Sequence, residues 1–256
     1  MIINPYIFAQ TSTPSGSVPQ SNLRIWLEST AGVVYDGSNL VSTWNDQTAN
    51  NNDAIQTTTT YKPDYIALDP QLNNLPSIAF NGGTDHRMEV PFDAATMNWS
   101  TNGFSLYMVV NIQNFMSVNS HLIAHSDNAV LSQGWGIYYA SNEVTFWVGN
   151  WNNSNQYVRI VSPPYNQKLL VKFTWNKSII TASYRTQSGS TVSGTKAFTG
   201  PYTNPSYNLG IMNIPGGNTF FDTSGKLGSI FVYNGVLSTQ DDTNLQNYLK
   251  SKYAIL

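Results

Sequence analysis

The chain has no cysteine among its 256 residues. This absence excludes disulfide bonds, thiolate metal sites and cysteine nucleophiles. It does not identify the cellular compartment, because a chain of this length can bury a large core without covalent cross-links.

Charge is also scarce. Only 10% of the residues are Asp, Glu, Lys or Arg, and the formal net charge is −2, whereas a typical soluble domain is about 25% charged. No block of Lys or Arg is present to attract nucleic acid or an anionic membrane surface over long range. We therefore expect neither partner.

Long apolar runs and an export signal are missing as well. No segment approaches the roughly 18 consecutive apolar residues of a membrane-spanning helix. The first ten residues, MIINPYIFAQ, have no basic region, and Asn4 and Pro5 interrupt their short apolar stretch. The sequence thus predicts neither a membrane protein nor a signal peptide.

Catalytic motifs are absent too. The glutamates Glu28, Glu89 and Glu143 are isolated from one another, whereas glycoside hydrolysis requires two neighbouring carboxylates. No G-x-S-x-G elbow or phosphate-binding loop occurs. His121 and His125 have a spacing that suits either a metal site or two hydrogen-bonded histidines near a strand end. We expect a protein without enzymatic activity.

What the sequence does contain is period-two alternation of apolar residues, which is typical of strands with one buried face. Ser238 has the position of a helix N-cap before the final segment. These patterns predict an all-β fold, a two-sheet antiparallel β-sandwich with a short C-terminal helix. The alternation is clearest in residues 23–27, 104–112, 144–148, 169–175 and 227–233.

Residues 1–22 are rich in Pro, Ser, Thr and Gly and contain little to bury, so we expect an extended N-terminal arm followed by one domain over residues 23–256. The apolar residues of the arm suit docking onto another protein. They are Ile3, Tyr6, Ile7 and Phe8.

Three separate stretches resemble a known family. Residues 23–53 contain a W-x-D turn at Trp44 and Asp46, and residues 76–90, PSIAFNGGTDHRMEV, contain an F-x-G turn at Phe80 and Gly82. Residues 225–256 look like a last strand, turn and closing helix. Together they resemble the concanavalin A-like, laminin-G-like modules of bacterial surface proteins and phage virion accessory proteins.

This resemblance implies a two-sheet jelly roll of a kind that often binds carbohydrate. We expect no required cofactor, although laminin-G-like modules often hold Ca²⁺ in loops equivalent to those here. Each of the aspartates in these loops also makes sense as a turn former, so both interpretations stand. The candidate metal ligands are Asp46, Asp53, Asp85 and Asp222.

The best candidate sugar site lies in residues 144–159, VTFWVGNWNNSNQYVR. Aromatic rings stack on the apolar side of a sugar while amides donate and accept oriented hydrogen bonds. Packing in the core or at a subunit interface is the alternative role for these aromatics. The candidate residues are Trp147, Asn150, Trp151, Asn152 and Tyr157.

Our first functional hypothesis is a non-catalytic virion protein, a capsid decoration or fibre subunit on the virion surface. Its arm would bind other virion proteins, a homo-oligomer such as a trimer would form, and the domain would display a lectin-like surface for glycans. The alternatives are a free lectin-like module that is optionally calcium-dependent and, less favoured, a glycan hydrolase.

Overall fold

The structure is a computed structural model that describes residues 15–115, 120–126, 133–140, 143–150, 152–216 and 223–256. The predicted role of the arm in anchoring to other virion proteins stays a prediction, because the residues that carry it lie outside these ranges. The predicted site residues outside them are Ile3, Tyr6, Ile7, Phe8, Trp151 and Asp222.

Strands are the main regular structure of the described residues, and one α-helix follows them. The strands are β1 (Leu23–Glu28), β2 (Val33–Tyr35), β3 (Val41–Trp44), β4 (Ala54–Ile55), β5 (Asp64–Asp69), β6 (Leu75–Phe80), β7 (Met88–Val90), β8 (Phe104–Phe115), β9 (His121–Ser126), β10 (Gly134–Ala140), β11 (Glu143–Val148), β12 (Tyr157–Val161), β13 (Lys168–Trp175), β14 (Ile179–Thr186), β15 (Thr191–Ala197), β16 (Leu209–Ile211) and β17 (Thr223–Asn234). The helix is α1 (Thr239–Tyr253), and short 3₁₀ turns cover Thr59–Tyr61, Pro70–Leu72, Gly82–Thr84 and Ser154–Gln156.

The strands form two antiparallel sheets. Sheet A has eight strands in the order β15-β14-β13-β8-β17-β6-β5, with β1 also paired to β17. Sheet B has nine in the order β12-β11-β10-β9-β16-β7-β4-β3-β2. The two sheets pack face to face around one core, so the predicted two-sheet antiparallel sandwich with a C-terminal helix is confirmed.

Aromatic side chains fill the centre of the sandwich. The ring of Phe104 stacks on Trp135 at 4.6 Å between centroids and meets Phe173 edge-on at 4.9 Å. All three side chains are buried. Truncating such a ring to alanine typically costs about 3–5 kcal/mol, so these contacts stabilise the association of the sheets.

Helix α1 covers the outer face of sheet A. Asp241 donates its backbone N–H to Ser238 Oγ at 3.1 Å, which confirms Ser238 as the N-cap. Leu245 and Leu249 pack into a second apolar cluster with residues of β8, β13 and β17. Val18, in the described part of the arm, packs against the same cluster.

The outer face of sheet B is covered by a loop instead of a helix. Small residues lie side by side on β16, β9 and β10. Gly210 pairs with Ala124, and Ala124 pairs with Gly136. The segment 212–216 folds back over them, and Ile214 packs in one cluster with Ala124 and Trp147. This loop forms one wall of the cleft described below.

Candidate binding cleft

Glu89 lies at the centre of the outer face of sheet B. Its neighbours in β7, Met88 and Val90, both belong to the core, so alternation points Glu89 away from it. Glu89 pairs across the sheet with Ile55 on one side and with Gly210 on the other. A single carboxylate is therefore placed between two short strands.

Two protein donors fix the Glu89 carboxylate. Oε1 accepts a hydrogen bond from the backbone N–H of Gly216 at 2.9 Å, and Oε2 accepts one from Asn208 Nδ2 at 2.8 Å. Asn208 is held in turn, because its Oδ1 accepts the backbone N–H of Phe92 at 3.0 Å. A carboxylate has about four acceptor positions, so each oxygen of Glu89 retains acceptor capacity.

Arg87 neighbours Glu89 but is engaged by the protein. Its guanidinium forms an ion pair with Asp85, and Nε lies 3.7 Å from Glu89 Oε1. One face of the guanidinium lies 4.1 Å from the centroid of the Tyr61 ring. Asp85 also accepts a hydrogen bond from Asn213 Nδ2 at 2.5 Å, so Asp85 is held within the wall by Nη1 of Arg87 and by Asn213.

Two depressions meet at Glu89 and Asn208, and we refer to them together as the Glu89 cleft. The first, of about 250 Å³, is lined by Glu89, Ser206, Tyr207, Asn208, Pro215 and Gly216. The second, of about 160 Å³, is lined by Ile55, Gln56, Thr57, Arg87, Glu89 and Asn208.

Tyr207 gives the Glu89 cleft an exposed aromatic wall. Its side chain is among the large apolar groups that remain exposed, at 42%. The cleft thus combines an aromatic surface, a carboxylate acceptor and the amide of Asn208. This mixture suits a ligand with an apolar ring face and several hydroxyl groups.

A third depression adjoins the cleft through Ile55, which lines both. It measures about 330 Å³ and includes the Asn50–Asp53 loop and Phe92. The Asn-rich loop that follows the W-x-D turn therefore borders the same outer surface as Glu89.

The structure places four of the predicted sugar residues at the β11–β12 end of sheet B, namely Trp147, Asn150, Asn152 and Tyr157. Trp147 is fully buried beside Tyr138 and Ile214, so its ring offers no face to a ligand. Asn150 Oδ1 accepts the backbone N–H of Asn152 at 2.9 Å, which orders the loop. Asn152 is exposed, whereas Asn150 and Tyr157 are half-buried.

Arg159 lies 4.6 Å from the centroid of the Tyr157 ring. Sugar binding at this end of the sheet stays a prediction. Of the two aromatic residues Tyr207 and Trp147, Tyr207 is exposed and Trp147 is buried, so we take the Glu89 cleft as the candidate site.

Three of the predicted metal ligands, Asp46, Asp53 and Asp85, are described, and they do not form one metal-binding group. Asp46 and Asp53 are adjacent, since the backbone N–H of Asp46 donates to Asp53 Oδ1 at 2.7 Å. Asp85 is instead paired with Arg87. Among the residues that the structure describes, no three His, Asp or Glu side chains form a metal-binding group. Calcium binding stays a prediction.

His121 and His125 have different surroundings. His125 Nδ1 accepts a hydrogen bond from Trp99 Nε1 at 3.0 Å, and burial lowers the pKa of His125 to about 3, against a smaller opposing effect of the Tyr207 backbone. His121 stacks on Tyr138 with centroids 5.4 Å apart. The β9–β10 pairing shifts register between the two histidines, so the regular alternation that would put both imidazoles on one face of β9 is broken.

Sequence reasoning missed the residues that form the Glu89 cleft. Glu89 is an outward charge in the strand M-E-V, which is an ordinary pattern for a solvent-facing position. Tyr207 and Asn208 are 118 and 119 residues further along the chain. No local signal joins them, and only the pairing of β16 with β7 brings them together.

No protein-family model matches the sequence, and a search of curated proteins gives no match. Solved structures do share the fold. The binding domain of Paraclostridial Mosquitocidal Protein 1 has a TM-score of 0.57 at 12% identity, with 88% of this chain and 52% of that chain covered. The Botulinum neurotoxin serotype G binding domain has a TM-score of 0.60 at 10% identity, with coverage of 90% and 51%.

A Trypanosoma rangeli sialidase is similar as well, with a TM-score of 0.60 at 17% identity over 93% of this chain and 36% of that chain. This chain therefore spans about half of the toxin domains and about a third of the sialidase. At these identities the comparison shows the fold, a β-sandwich shared with toxin binding domains and part of a sialidase. Within the described residues, no helix has the length and apolar character needed to cross a membrane.

Proposed function

We propose that this chain is a glycan-binding module without catalytic activity and that the Glu89 cleft holds the sugar. The observation that carries the proposal is that the exposed Tyr207 lines the same depression as the ordered Glu89 carboxylate. An aromatic wall and a fixed acceptor are the two elements that orient a sugar ring in a shallow site.

The structural neighbours support a binding role. Two of them are binding domains of toxins, and a further sialidase structure, with 16% identity and a TM-score of 0.59, contains sialic acid. The shared sandwich agrees with a module that recognises molecules on its surface, while the ligand itself is proposed from the cleft of this chain.

The carboxylates around the cleft favour binding over hydrolysis. A glycosidase needs one acid and one base or nucleophile on either side of the scissile bond. Glu89 is open to the cleft, but Asp85 is bound by Arg87 and Asn213. We therefore propose that the bound sugar is retained and not cleaved.

The test is a glycan array followed by calorimetry on the glycans that bind. Tyr207→Ala should weaken binding at least about tenfold, because a lost stacking contact is worth roughly 1.4 kcal/mol. Tyr165→Ala is the matched control: its side chain is similarly exposed, at 41%, and lies outside the cleft lining.

Equal losses in the two variants would contradict the assignment of the cleft. Absence of binding to every glycan on the array would contradict the proposed function. Release of shorter sugars from a bound oligosaccharide would instead support the hydrolase hypothesis. Anchoring through the N-terminal arm remains a separate proposal that this experiment does not address.

A further inference from the structure

We infer that the Glu89 cleft selects neutral glycans and rejects glycans that carry carboxylate or sulfate groups. This inference rests on the proposed function and names the class of ligand that the same cleft accepts. It follows from the charges that line the cleft and from the contacts that already engage them.

The charge of the cleft wall is negative. Arg87, Asp85 and Glu89 form one connected group through the two contacts of the guanidinium. One cation and two carboxylates leave the group with one net negative charge. Among the residues that line the two depressions, Arg87 is the single cationic side chain.

The guanidinium of Arg87 is largely shielded from an anion in the cleft, and its Nε is buried. Its side chain is 11% exposed, Asp85 occupies Nη1, and the Tyr61 ring covers one face. Nη1 also donates to the backbone carbonyl of Asp85 at 3.4 Å. A ligand carboxylate that approached Nη1 would have to displace Asp85, and disrupting a largely buried ion pair is costly.

Glu89 is the charged group that a ligand meets instead. Its side chain is 20% exposed, and each oxygen accepts a hydrogen bond from one protein donor. Hydroxyl groups of a neutral sugar can donate to the remaining acceptor positions, and hydrogen bonds to an ionised acceptor are among the strong ones. A ligand carboxylate at the same place can only be repelled.

The experiment uses the full chain and an array of matched oligosaccharides in which each backbone is present in neutral, sialylated and sulfated form. Affinities for the pairs that give signal are then measured by calorimetry at low salt. We expect the neutral member to bind at least tenfold more tightly than its anionic counterparts. Binding of the neutral member should be weakened by Tyr207→Ala, which assigns it to the cleft.

Glu89→Gln tests the origin of the selectivity. Glutamine keeps the shape and one acceptor oxygen but removes the charge, so the ratio between neutral and anionic affinities should shrink about tenfold. Glu143→Gln is the control, because Glu143 is a half-buried strand glutamate outside the cleft lining. Thermal melts of both variants check that the fold is retained.

A salt series on the unaltered protein provides a second measurement that needs no variant. Raising the ionic strength should narrow the difference between neutral and anionic members, because salt screens the repulsion at this partly exposed carboxylate. Equal or tighter binding of the anionic members, lost in Tyr207→Ala, would overturn this inference and leave the proposed function intact. No binding to any member of the array would overturn both.

Discussion

The carboxylate of Asp46 accepts hydrogen bonds from strand β1 and from the loop that follows β3. Oδ1 accepts the backbone N–H of Trp26 at 2.8 Å and of Thr48 at 3.1 Å. Oδ2 accepts the hydroxyl of Thr48 at 2.6 Å and the backbone N–H of Asn52 at 3.0 Å. These four donors use about as many acceptor positions as a carboxylate offers, which favours the turn-forming role over a metal ligand.

Asp46→Ala should therefore lower the free energy of unfolding by roughly 2–4 kcal/mol, because buried backbone donors from β1 and the loop lose their acceptor. Urea denaturation measures the change. Asp36→Ala is the control: Asp36 Oδ1 accepts the N–H groups of Ser38 and Leu40 on an exposed turn, and its loss should cost under about 1 kcal/mol.

Similar costs for the two substitutions would show that Asp46 is an ordinary surface turn residue. A calcium-dependent rise in the unfolding midpoint that disappears in Asp46→Ala would support the metal-ligand interpretation instead.

Single residues show where sequence reasoning reaches its limit. The W-x-D turn and the Ser238 cap were predictable, because both depend on neighbours within a few positions. Alternation places Trp147 opposite the core residues Phe146 and Val148. Its burial agrees with the packing role stated for these aromatics, but the residue that covers it, Ile214, is 67 residues away and was not predictable.

At the scale of elements, the 212–216 loop donates hydrogen bonds to two carboxylates of the cleft wall. It contributes Gly216, whose N–H donates to Glu89, and Asn213, whose amide donates to Asp85. The loop can approach the sheet because Gly210 has no side chain. A Cβ at Gly210 would lie 2.6 Å from both the carbonyl oxygen of Asn213 and the carbonyl carbon of Ile214.

Gly210→Ala should consequently force the loop away from sheet B. We expect a loss of about 1–3 kcal/mol in the free energy of unfolding, which is the usual cost of overpacking, together with weaker binding of the array-selected glycan. Gly37→Ala is the control, because a Cβ there would meet no atom within 4 Å. Its stability should be unchanged or higher by under about 1 kcal/mol.

Retention of both stability and glycan affinity in Gly210→Ala would show that the loop is not held by this close approach. Loss of stability with unchanged affinity would separate the loop from the cleft and weaken the assignment of Gly216 as a support for Glu89.

Elements were predictable where their signal is local and repeated. Alternation located β1, β8, β11, β13 and β17, and the cap located the start of α1. The order of strands was not available from alternation, because β17 inserts between β8 and β6, over 100 residues earlier. Irregular pairing was not predictable either. A register shift between Leu227 and Ser229 means that even-numbered residues of β17 face the core after it, whereas odd-numbered ones do before it.

At the scale of the whole molecule, buried and half-buried tyrosines couple folding to proton binding. Burial is the main cause that raises the pKa of each of these phenols above its ordinary value of 10.0. Four of the five lie in or beside the cluster between sheet A and α1, and one lies near Trp175. They are Tyr107, Tyr202, Tyr233, Tyr248 and Tyr253.

A raised folded-state pKa means that the unfolded chain releases these protons first as pH rises. The stabilising contribution is therefore fully present below pH 10 and declines above it, by up to about 1.4 kcal/mol per pH unit for each tyrosine. Nearby carboxylates act in the same direction, since Tyr248 donates its hydroxyl hydrogen to Glu28 Oε1 at 2.8 Å. We expect cooperative unfolding of the sandwich as the pH is raised above 10.

Tyr253→Phe removes one titrating hydroxyl and keeps the ring. The Tyr253 side chain suits this test because it is fully buried and its ring covers Gly228. The free energy of unfolding, measured by urea denaturation between about pH 8 and 11, should fall less steeply with pH in the variant. Above pH 10 the two slopes should differ by up to about 1.4 kcal/mol per pH unit. Lysine titration affects both proteins alike and cancels in the comparison. An identical slope would mean that the Tyr253 phenol stays accessible to hydroxide, and hence that α1 separates from sheet A before the sandwich unfolds.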